Sequence, residues 1–586
     1  MIVYNYLLNN VLDAPSFIQR MAEHTGVTDK DELSTLVQLG LQSGDLSLHR
    51  IGAGEDARLF IANDSIARKG NSVSRLIRTP LFYRRRSAAP SGQLMLEELS
   101  PVYRKAVDYL SQQWFRPNGL ILDTLSALAD EGHFDKKMDQ MELLMLGEFR
   151  TFGVDPYLLP MFPDSRYRVY TDSRGIASYQ GGDWHRAICD FAESKPVTDE
   201  DIHYALRAIS DEYGVTEDNY REILADPLAF IKAGGKKPAC SLRAAEAIRE
   251  MKEDKATAYI LQQDQSNSGA ALYAWFTGDR NLARLTNFLP SKEKQDLYGA
   301  AGQLVRAAGL LPTQAAGCEQ FYCRSTGKTF IVPMIYGAAN ESLTRSMFLK
   351  DPQKDRISFV DPSGCYIPGS LDEVPTDRLN ASYIDFLREL GWSEAVRVAS
   401  DIARAYETAV YGSDTVRGLT TRLRPAMTSI KRAARLANAK GTGLSWTSPS
   451  GCVVHNHKLK VDRDSDPEQI NITNGGVRYR VSFMKVSPAS SDAAAPPNVI
   501  HSVDGSVVHI SAGSCCDEGI ALAPIHDSFG THVCDARRVK SIVRESIAII
   551  PQDFLDKQVF EPNGLQPLGY EPLPIKEFMK AEHFLG

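Results

Sequence analysis

The sequence predicts an α+β fold. Three observations predict it: long stretches of helical spacing, short alternating stretches set between them, and two acidic motifs placed where strands end. Apolar residues make up 43% and charged residues 24%, the balance of a globular chain with a large core. At 586 residues that core should divide into several subdomains. No apolar run is long enough to span a membrane, and the N-terminus lacks the basic start of a signal peptide, so no membrane partner is expected. Nine cysteines, odd in number and thinly spread, fit free thiols in a reducing compartment.

Taken in order, residues 1–64 read as a small unit. Pro15 to His24 and Asp29 to Gln42 have helical spacing, and Leu46–Ile51 and Arg58–Ile61 read as a hairpin around Gly52 and Gly54. A structural cap on the core is the expectation, with a winged-helix-like module as the alternative. Residues 65–95, with Lys69 and Arg84 to Arg86, read as a basic linker. Residues 100–150 are helical in spacing through Val102, Ala106, Val107 and Leu110. Strands from 155–200 and 255–280 are expected to join residues 501–586 in one sheet, and residues 281–500 to be mainly helical. Within the latter, 452–495 reads as a hairpin from its Gly475-Gly476 pair and the alternation Val477-Arg-Tyr-Arg-Val481. Cys452, His455 and His457 cluster within it; a polar surface hairpin is the reading preferred over a zinc site.

Chemistry concentrates in three motifs. Asp264-Gln-Ser-Asn-Ser-Gly269 and His526-Asp527-Ser-Phe-Gly-Thr531 each offer a carboxylate. Between them lies Arg324-Ser-Thr-Gly-Lys328, continuing to Tyr336-Gly337. Arg324 and Lys328 are four apart and share one helix face, suited to a triphosphate: the guanidinium grips phosphate oxygens as a fork, and the ammonium can protonate a leaving pyrophosphate. Tyr336 lies about 80° around an ideal helix from Lys328 and can face the same cleft. Pro333 should kink that helix. Two carboxylates for two divalent ions, beside a basic helix face, are the apparatus of template-directed nucleotidyl transfer. The net charge of −7 argues against a nucleic-acid partner, but Arg417, Arg422, Arg424, Lys431, Arg432, Arg435 and Lys440 form a run free of acids, the pattern of a phosphate track.

In their order, these motifs resemble the single-subunit RNA polymerases of phages and mitochondria, from about residue 100 to the end. Further segments carry the resemblance: Asp164-Ser-Arg166-Tyr167-Arg168 with Gln180-Gly-Gly-Asp183, Gln295-Asp-Leu-Tyr298-Gly299, Trp446-Thr-Ser-Pro449, Asn498-Val-Ile-His501-Ser-Val-Asp504-Gly505, and the tail Leu573–Phe578 running to His583-Phe-Leu-Gly586. The resemblance implies a right-hand polymerase fold of palm, fingers and thumb, with mainly helical fingers and an antiparallel palm sheet. Its parts would be 1–95, a small module and basic linker; 96–154, thumb and palm-base helices; 155–280, palm with the first catalytic Asp; 281–500, fingers with the specificity-type hairpin 452–495; and 501–586, palm with the second Asp and a C-terminal foot.

The resemblance also implies roles. Asp264 and Asp527, with the carbonyl of Gln265, would hold two Mg²⁺ ions. Lys328, Tyr336 and His526 would serve catalysis, His526 by positioning Asp527 or meeting the primer end. Arg324, Gly269, His501, Arg168, Tyr298 and Arg207 would touch substrate. Arg166, the basic run and Arg478 and Arg480 of the hairpin would touch nucleic acid. Related DNA polymerases carry Glu where this chain has Gly269, Phe where it has Val332, and Glu where it has Ser528; all three differences favour ribonucleotides. Tyr167 replaces the Gly of the family's Asp-x-x-Gly-Arg segment, so the backbone there is expected to differ. Expected partners are a DNA template, nascent RNA and rNTPs, with a phage-encoded DNA-binding factor to replace a missing promoter-reading domain, acting as a monomer in the host cytoplasm. A DNA polymerase or primase-like enzyme of the same superfamily is the alternative, and a catalytically dead DNA-binding relative a third.

Overall fold

The computed structural model describes residues 100–586, except 133–139, 153–154, 172–176, 351–378, 441, 457, 462–466, 475–476, 484–485 and 490–491; of the first 99 it describes 12–14, 17–18, 29–43, 46–51 and 58–63. The basic linker, His457 and the Gly475-Gly476 pair therefore lie outside the described residues.

The first unit forms from local signals. Asp29 accepts from the backbone N–H groups of Asp31 and Glu32, each at 3.0 Å, and so starts helix α1 (Lys30–Ser43). Strand β1 (Leu12–Asp13) and β2 (Leu46–Ile51) flank β3 (Arg58–Asn63) in an antiparallel sheet. Among the described residues, the unit's apolar face packs apart from the main core. Phe17, Ile18, Leu33, Val37 and Leu46 pack instead with Ile470, Ile472, Val481 and Phe483 in a cluster of their own. The expected cap on the core is thus a cap on a hairpin, because that hairpin's alternating apolar face is the surface it matches.

Helix α2 (Pro101–Leu110) takes Pro at its first turn, buries Tyr103, Ala106, Val107 and Leu110, and lies along the helix Ala495–Glu518. Strand β4 (Trp114–Pro117) sits between β5 (Tyr157–Leu158) and β8 (Cys189–Phe191), while β6 (Met161–Pro163) pairs with β7 (Val169–Thr171). The strands of 155–200 were expected in the acid-bearing sheet. They pair instead with one another, with β4 and, for Lys195–Pro196, with Ala256–Thr257; two or three residues long and interrupted by Pro160 and Pro163, they are too short to extend it. That sheet contains β9 (Leu261–Asp264), β12 (Ala523–Ile525) and β13 (Ser528–Thr531) in the order β9-β13-β12, all antiparallel.

Helices enclose it. Helices α3 (Asp199–Tyr213) and α4 (Pro238–Arg249) pack together on one side. Arg243 of α4 is fully buried, yet Asp190, Glu246 and Glu250 all lie within ion-pair reach. Helix α5 (Ser268–Thr277) is buried at every position, the mark of a central helix. Two glycines let helix α6 (Leu297–Ala307) approach helix α7 (Arg324–Ile335) and the turn Glu319–Tyr322 before it closely. A Cβ on Gly327 would lie 2.3 Å from the carbonyl of Tyr298, and one on Gly302 would lie 2.2 Å from that of Tyr322. Pro333 lies in the last turn of α7. The helix ends two residues later at Ile335, and Gly337 turns the chain with φ +82°. Helices α8 (Trp392–Tyr411) and α9 (Leu423–Ala439) follow. The predicted hairpin is a ribbon of β10 (Glu468–Asn474) and β11 (Val477–Phe483), in register from Glu468↔Phe483 to Asn474↔Val477. Helix α10 (Ala495–Glu518) then crosses the molecule, and α11 (Ala536–Ala548) packs on it. The mixed helix and antiparallel-strand class is the one the sequence predicts.

Gly327→Ala should cost about 1–3 kcal/mol, because the new methyl must displace a backbone carbonyl. Gly317→Ala, where an added Cβ meets nothing within 4 Å, should be near neutral. Urea denaturation of both variants checks this; equal midpoints would contradict the crossing described here.

Candidate active site

Strand pairing brings the two predicted acids together. Asp264 ends β9 opposite Ser528, and the N–H of Gln265 donates to the carbonyl of Asp527 at 3.0 Å. Residues 584–586 lie along the other edge: the N–H of Ser266 donates to Phe584 at 2.9 Å, and that of Gly586 to Asp264 at 3.1 Å. Asp264 is exposed at the strand end, while Asp527 lies in the turn joining β12 to β13. His526 shares that turn with φ +56°, a left-handed conformation that costs a β-carbon residue about 1 kcal/mol. Its ring is held edge-on against Tyr170 at 4.8 Å. His526 is therefore a turn residue that also lines the cleft.

Asp527 is the most constrained group. Burial pushes its carboxyl up to about 6, and the charges of Asp504 and Asp264 push the same way; Ser268 and Arg168 oppose them. The Ser268 hydroxyl donates to Asp527 Oδ2 at 2.7 Å. Asp504, buried in the middle of α10, forms an ion pair with Arg168. Tyr167, just before Arg168, has φ +65°, a left-handed backbone that favours glycine, with its ring against Tyr103 at 5.3 Å. Arg166 is held by Asp164 and donates to His501 Nδ1 at 2.6 Å. Burial and the neighbouring Arg168 push the His501 ring down to about 2, so it is neutral.

A cleft of 810 Å³ opens in front of these groups. Asp264, Gln265, Ser268, Gly269, Tyr298, Arg324, Lys328, Val332, Tyr336, His526 and Asp527 all line it. Arg324 stacks over Tyr298 at 5.3 Å and reaches Asp296 at 3.1 Å. Lys328 is exposed one turn further on, with no ion pair among the described residues. Tyr336 is not on the helix as predicted: it is the first residue past its end, because Pro333 and Gly337 stop α7. Its ring packs on His501 at 4.8 Å, and a Cβ built on Gly269 would lie 2.9 Å from its hydroxyl. Burial raises that hydroxyl to about 12, so it keeps its proton.

Other predicted residues lie elsewhere. Arg168 and His501 stand behind the lining, Arg168 committed to Asp504 and His501 to Tyr336 and Arg166. Arg207 is exposed on α3 outside the lining; Ala208, Asp211, Glu212 and Tyr213 of that helix reach the cleft. The basic run is less free than its composition implied, because partners come from distant sequence. Arg422 donates to the carbonyls of Thr277 and Gly278, Arg424 pairs with Glu407, Arg435 with Asp492 at 2.5 Å, and Lys431 donates to Gly337 at 3.1 Å. Arg417, Arg432 and Lys440 stay exposed with no ion pair among the described residues. Arg478 and Arg480 are exposed on β11. Cys452 is buried, and His455 Nδ1 bonds Ser445 Oγ at 2.7 Å, so the surface-hairpin reading fails for Cys452. Ser268 and Asp504 were not singled out from sequence; Asp504 stood inside a quoted segment, and only folding sets it beside Asp527.

Residues 237–558 match the family model described as DNA-dependent RNA polymerase. The chain belongs to that family. It is 24% identical over 433 residues to the mitochondrial DNA-directed RNA polymerase of Schizosaccharomyces pombe, covering 68% of this chain and 34% of that one. It is 23% identical over 472 residues to the mitochondrial DNA-directed RNA polymerase 1B of Nicotiana tabacum, covering 74% and 43%. The chain thus spans well under half the length of these relatives. A solved structure, the polymerase domain of Pol1 from M. smegmatis with DNA primer-template and dNTP, overlays 78% of this chain and 67% of its own at 11% identity and a TM-score of 0.30.

The Asp527 carboxyl gives a pH signature. Its proton is held more tightly folded than unfolded, so its stabilising contribution is present at low pH and is lost as pH rises through about 6. In cation-free buffer, Asp527→Asn should gain stability over the parent as pH rises from 5 to 8, by on the order of 1–1.5 kcal/mol. Thermal melts across that range test the sign; a difference flat with pH would contradict the burial account.

Proposed function

We propose that this chain is a DNA-directed RNA polymerase, joining ribonucleotides to an RNA 3′ end on a DNA template. The observation that carries the reading is the convergence of Asp264, Asp527, Lys328 and Tyr336 on one cleft. The sheet β9-β13-β12 with α5 and α10 is then the palm, α6 to α9 are fingers, and α2 belongs to the thumb side. The donor set fits hard divalent ions: carboxylate oxygens of Asp264 and Asp527 with the carbonyl of Gln265, and no thiolate or imidazole needed. Magnesium bound there would supply charge for the attacking 3′ oxygen and the departing pyrophosphate.

The chain's own residues do the rest. Lys328 and Arg324 face the triphosphate; Lys328, with no ion pair among the described residues, can hand a proton to the leaving pyrophosphate. Ser268 fixes one Asp527 oxygen and leaves the other for the cation. Tyr336, protonated and braced on His501, presents a hydroxyl donor above Gly269. A Glu at position 269 would collide with Tyr336 before it ever met a sugar. Gly269 leaves to the Tyr336 hydroxyl the space that a Glu side chain would take; this supports ribose over deoxyribose as substrate, and a DNA polymerase is the less favoured reading.

Extension of a primed DNA template with rNTPs or dNTPs is the test. The wild type should prefer rNTPs; Asp264→Asn and Asp527→Asn should lower extension by several orders of magnitude with template binding intact. Gly269→Glu should depress rNTP use, and Tyr336→Phe should relax discrimination against dNTPs. Preference for dNTPs by the wild type would overturn the reading.

Nucleic-acid affinity should report which cations are free. Arg432→Ala should reduce the slope of log affinity against log salt by about 0.7–0.9, the value of one phosphate contact. Arg435→Ala, already paired with Asp492, should change it less. Equal effects from both would mean the ion pair opens on binding.

A further inference from the structure

The ribbon β10–β11 has two faces of opposite character. Ile470, Ile472, Val481 and Phe483 point one way and are buried against Phe17, Ile18, Leu33, Val37 and Leu46 of the first unit. Gln469, Asn471, Thr473, Arg478, Arg480 and Ser482 point the other way and are all exposed. They sit in cross-strand pairs: Gln469↔Ser482, Asn471↔Arg480 and Thr473↔Arg478. No acid stands among them, and amide, hydroxyl and guanidinium groups are the side chains that read base edges. A two-stranded ribbon is of a size that the major groove of a DNA duplex admits.

Alone, such a ribbon is marginally stable, and its register slips easily. Helix α1 supplies what it lacks. Thr473 gives its N–H to Gln38 Oε1 at 2.9 Å and takes the Gln38 Nε2 hydrogen on its carbonyl at 2.8 Å, as a neighbouring strand would engage it. One turn earlier, Ser34 Oγ donates to the carbonyl of Asn471 at 2.9 Å. The open edge of β10 is thus occupied by side chains of a helix more than four hundred residues away. Both partners are amphipathic on their own, and their apolar halves form a core separate from the rest of the molecule.

We propose that the first unit is the carrier of the ribbon: α1 fixes the ribbon's register and pose, so that its polar face meets duplex DNA, and Ser34 and Gln38 are positioning residues for duplex engagement rather than for nucleotide addition. The role rests on the polymerase reading above. Two variants separate the terms. Ser34→Ala with Gln38→Leu removes only the edge bonds; Leu33→Asp with Val37→Asp breaks the shared apolar core. Hydrogen exchange of the full chain, which needs no catalysis, reads the ribbon directly. The Thr473 amide should exchange about tenfold faster in the edge variant, and the whole ribbon faster in the core variant. Affinity for a DNA duplex should fall severalfold in both, while primer extension on a single-stranded template stays at the parental rate. Unchanged exchange of 468–483, unchanged duplex affinity, or extension falling in step with duplex binding would each overturn the proposal. A parent chain that adds no nucleotide at all would instead strike the polymerase reading, and the exchange result would stand apart from it.

Discussion

Three carboxylates, Asp264, Asp504 and Asp527, crowd the end of one short sheet, and the surrounding structure is organised around keeping them there. Asp504 is buried and Asp527 half-buried, and burial favours the neutral form of Asp527. Arg168 offsets Asp504, Ser268 holds one oxygen of Asp527, and burial, with the charges of Asp504 and Asp264, leaves Asp527 with a raised pKa of about 6. A site in that condition attracts cations. It also needs rigid walls, and these come from backbone pairing on both edges of β9, from the wholly buried α5, and from α10 crossing behind.

Backbone strain gathers at the same place. Tyr167, Asn267 and His526, three of the five non-glycine residues with positive φ among those described, flank Arg168, Ser268 and Asp527. Each holds its neighbour at a fixed angle toward the cleft. Aromatic packing supports two of them: Tyr103 against Tyr167, and Tyr170 against His526. The glycines act by the opposite means. Gly327 lets α7 approach the Tyr298 carbonyl, which brings Arg324 over the Tyr298 ring, and Gly269 leaves room for the Tyr336 hydroxyl.

Much of this could be read from the chain. The acids, Lys328 and the Tyr336 position lie in contiguous motifs, and contiguous motifs survive in sequence. The ribbon's turn pair and alternation marked it, and Asp29 marked the start of α1. What escaped detection depends on long-range partners. Asp504 looks like any polar residue in a helix until folding sets it beside Asp527. Arg424 and Arg435 look like free cations until Glu407 and Asp492 arrive from other elements. Pro333 suggested a kink, whereas the end of the helix two residues beyond it, at Ile335, was not foreseen. The first unit's destination was hidden because its apolar stripe says only that something covers it, not that a ribbon near residue 475 does.

The central claim is that Asp264 and Asp527 hold divalent cations, and cation binding measures it without any turnover. Mn²⁺ titration followed by electron paramagnetic resonance, with a primed template and a non-hydrolysable nucleoside triphosphate present, is the direct measurement. The account predicts that Asp264→Asn and Asp527→Asn each weaken Mn²⁺ binding by at least about tenfold, while Arg207→Ala leaves it unchanged. Cation affinity equal to the parent in both Asp variants would contradict it.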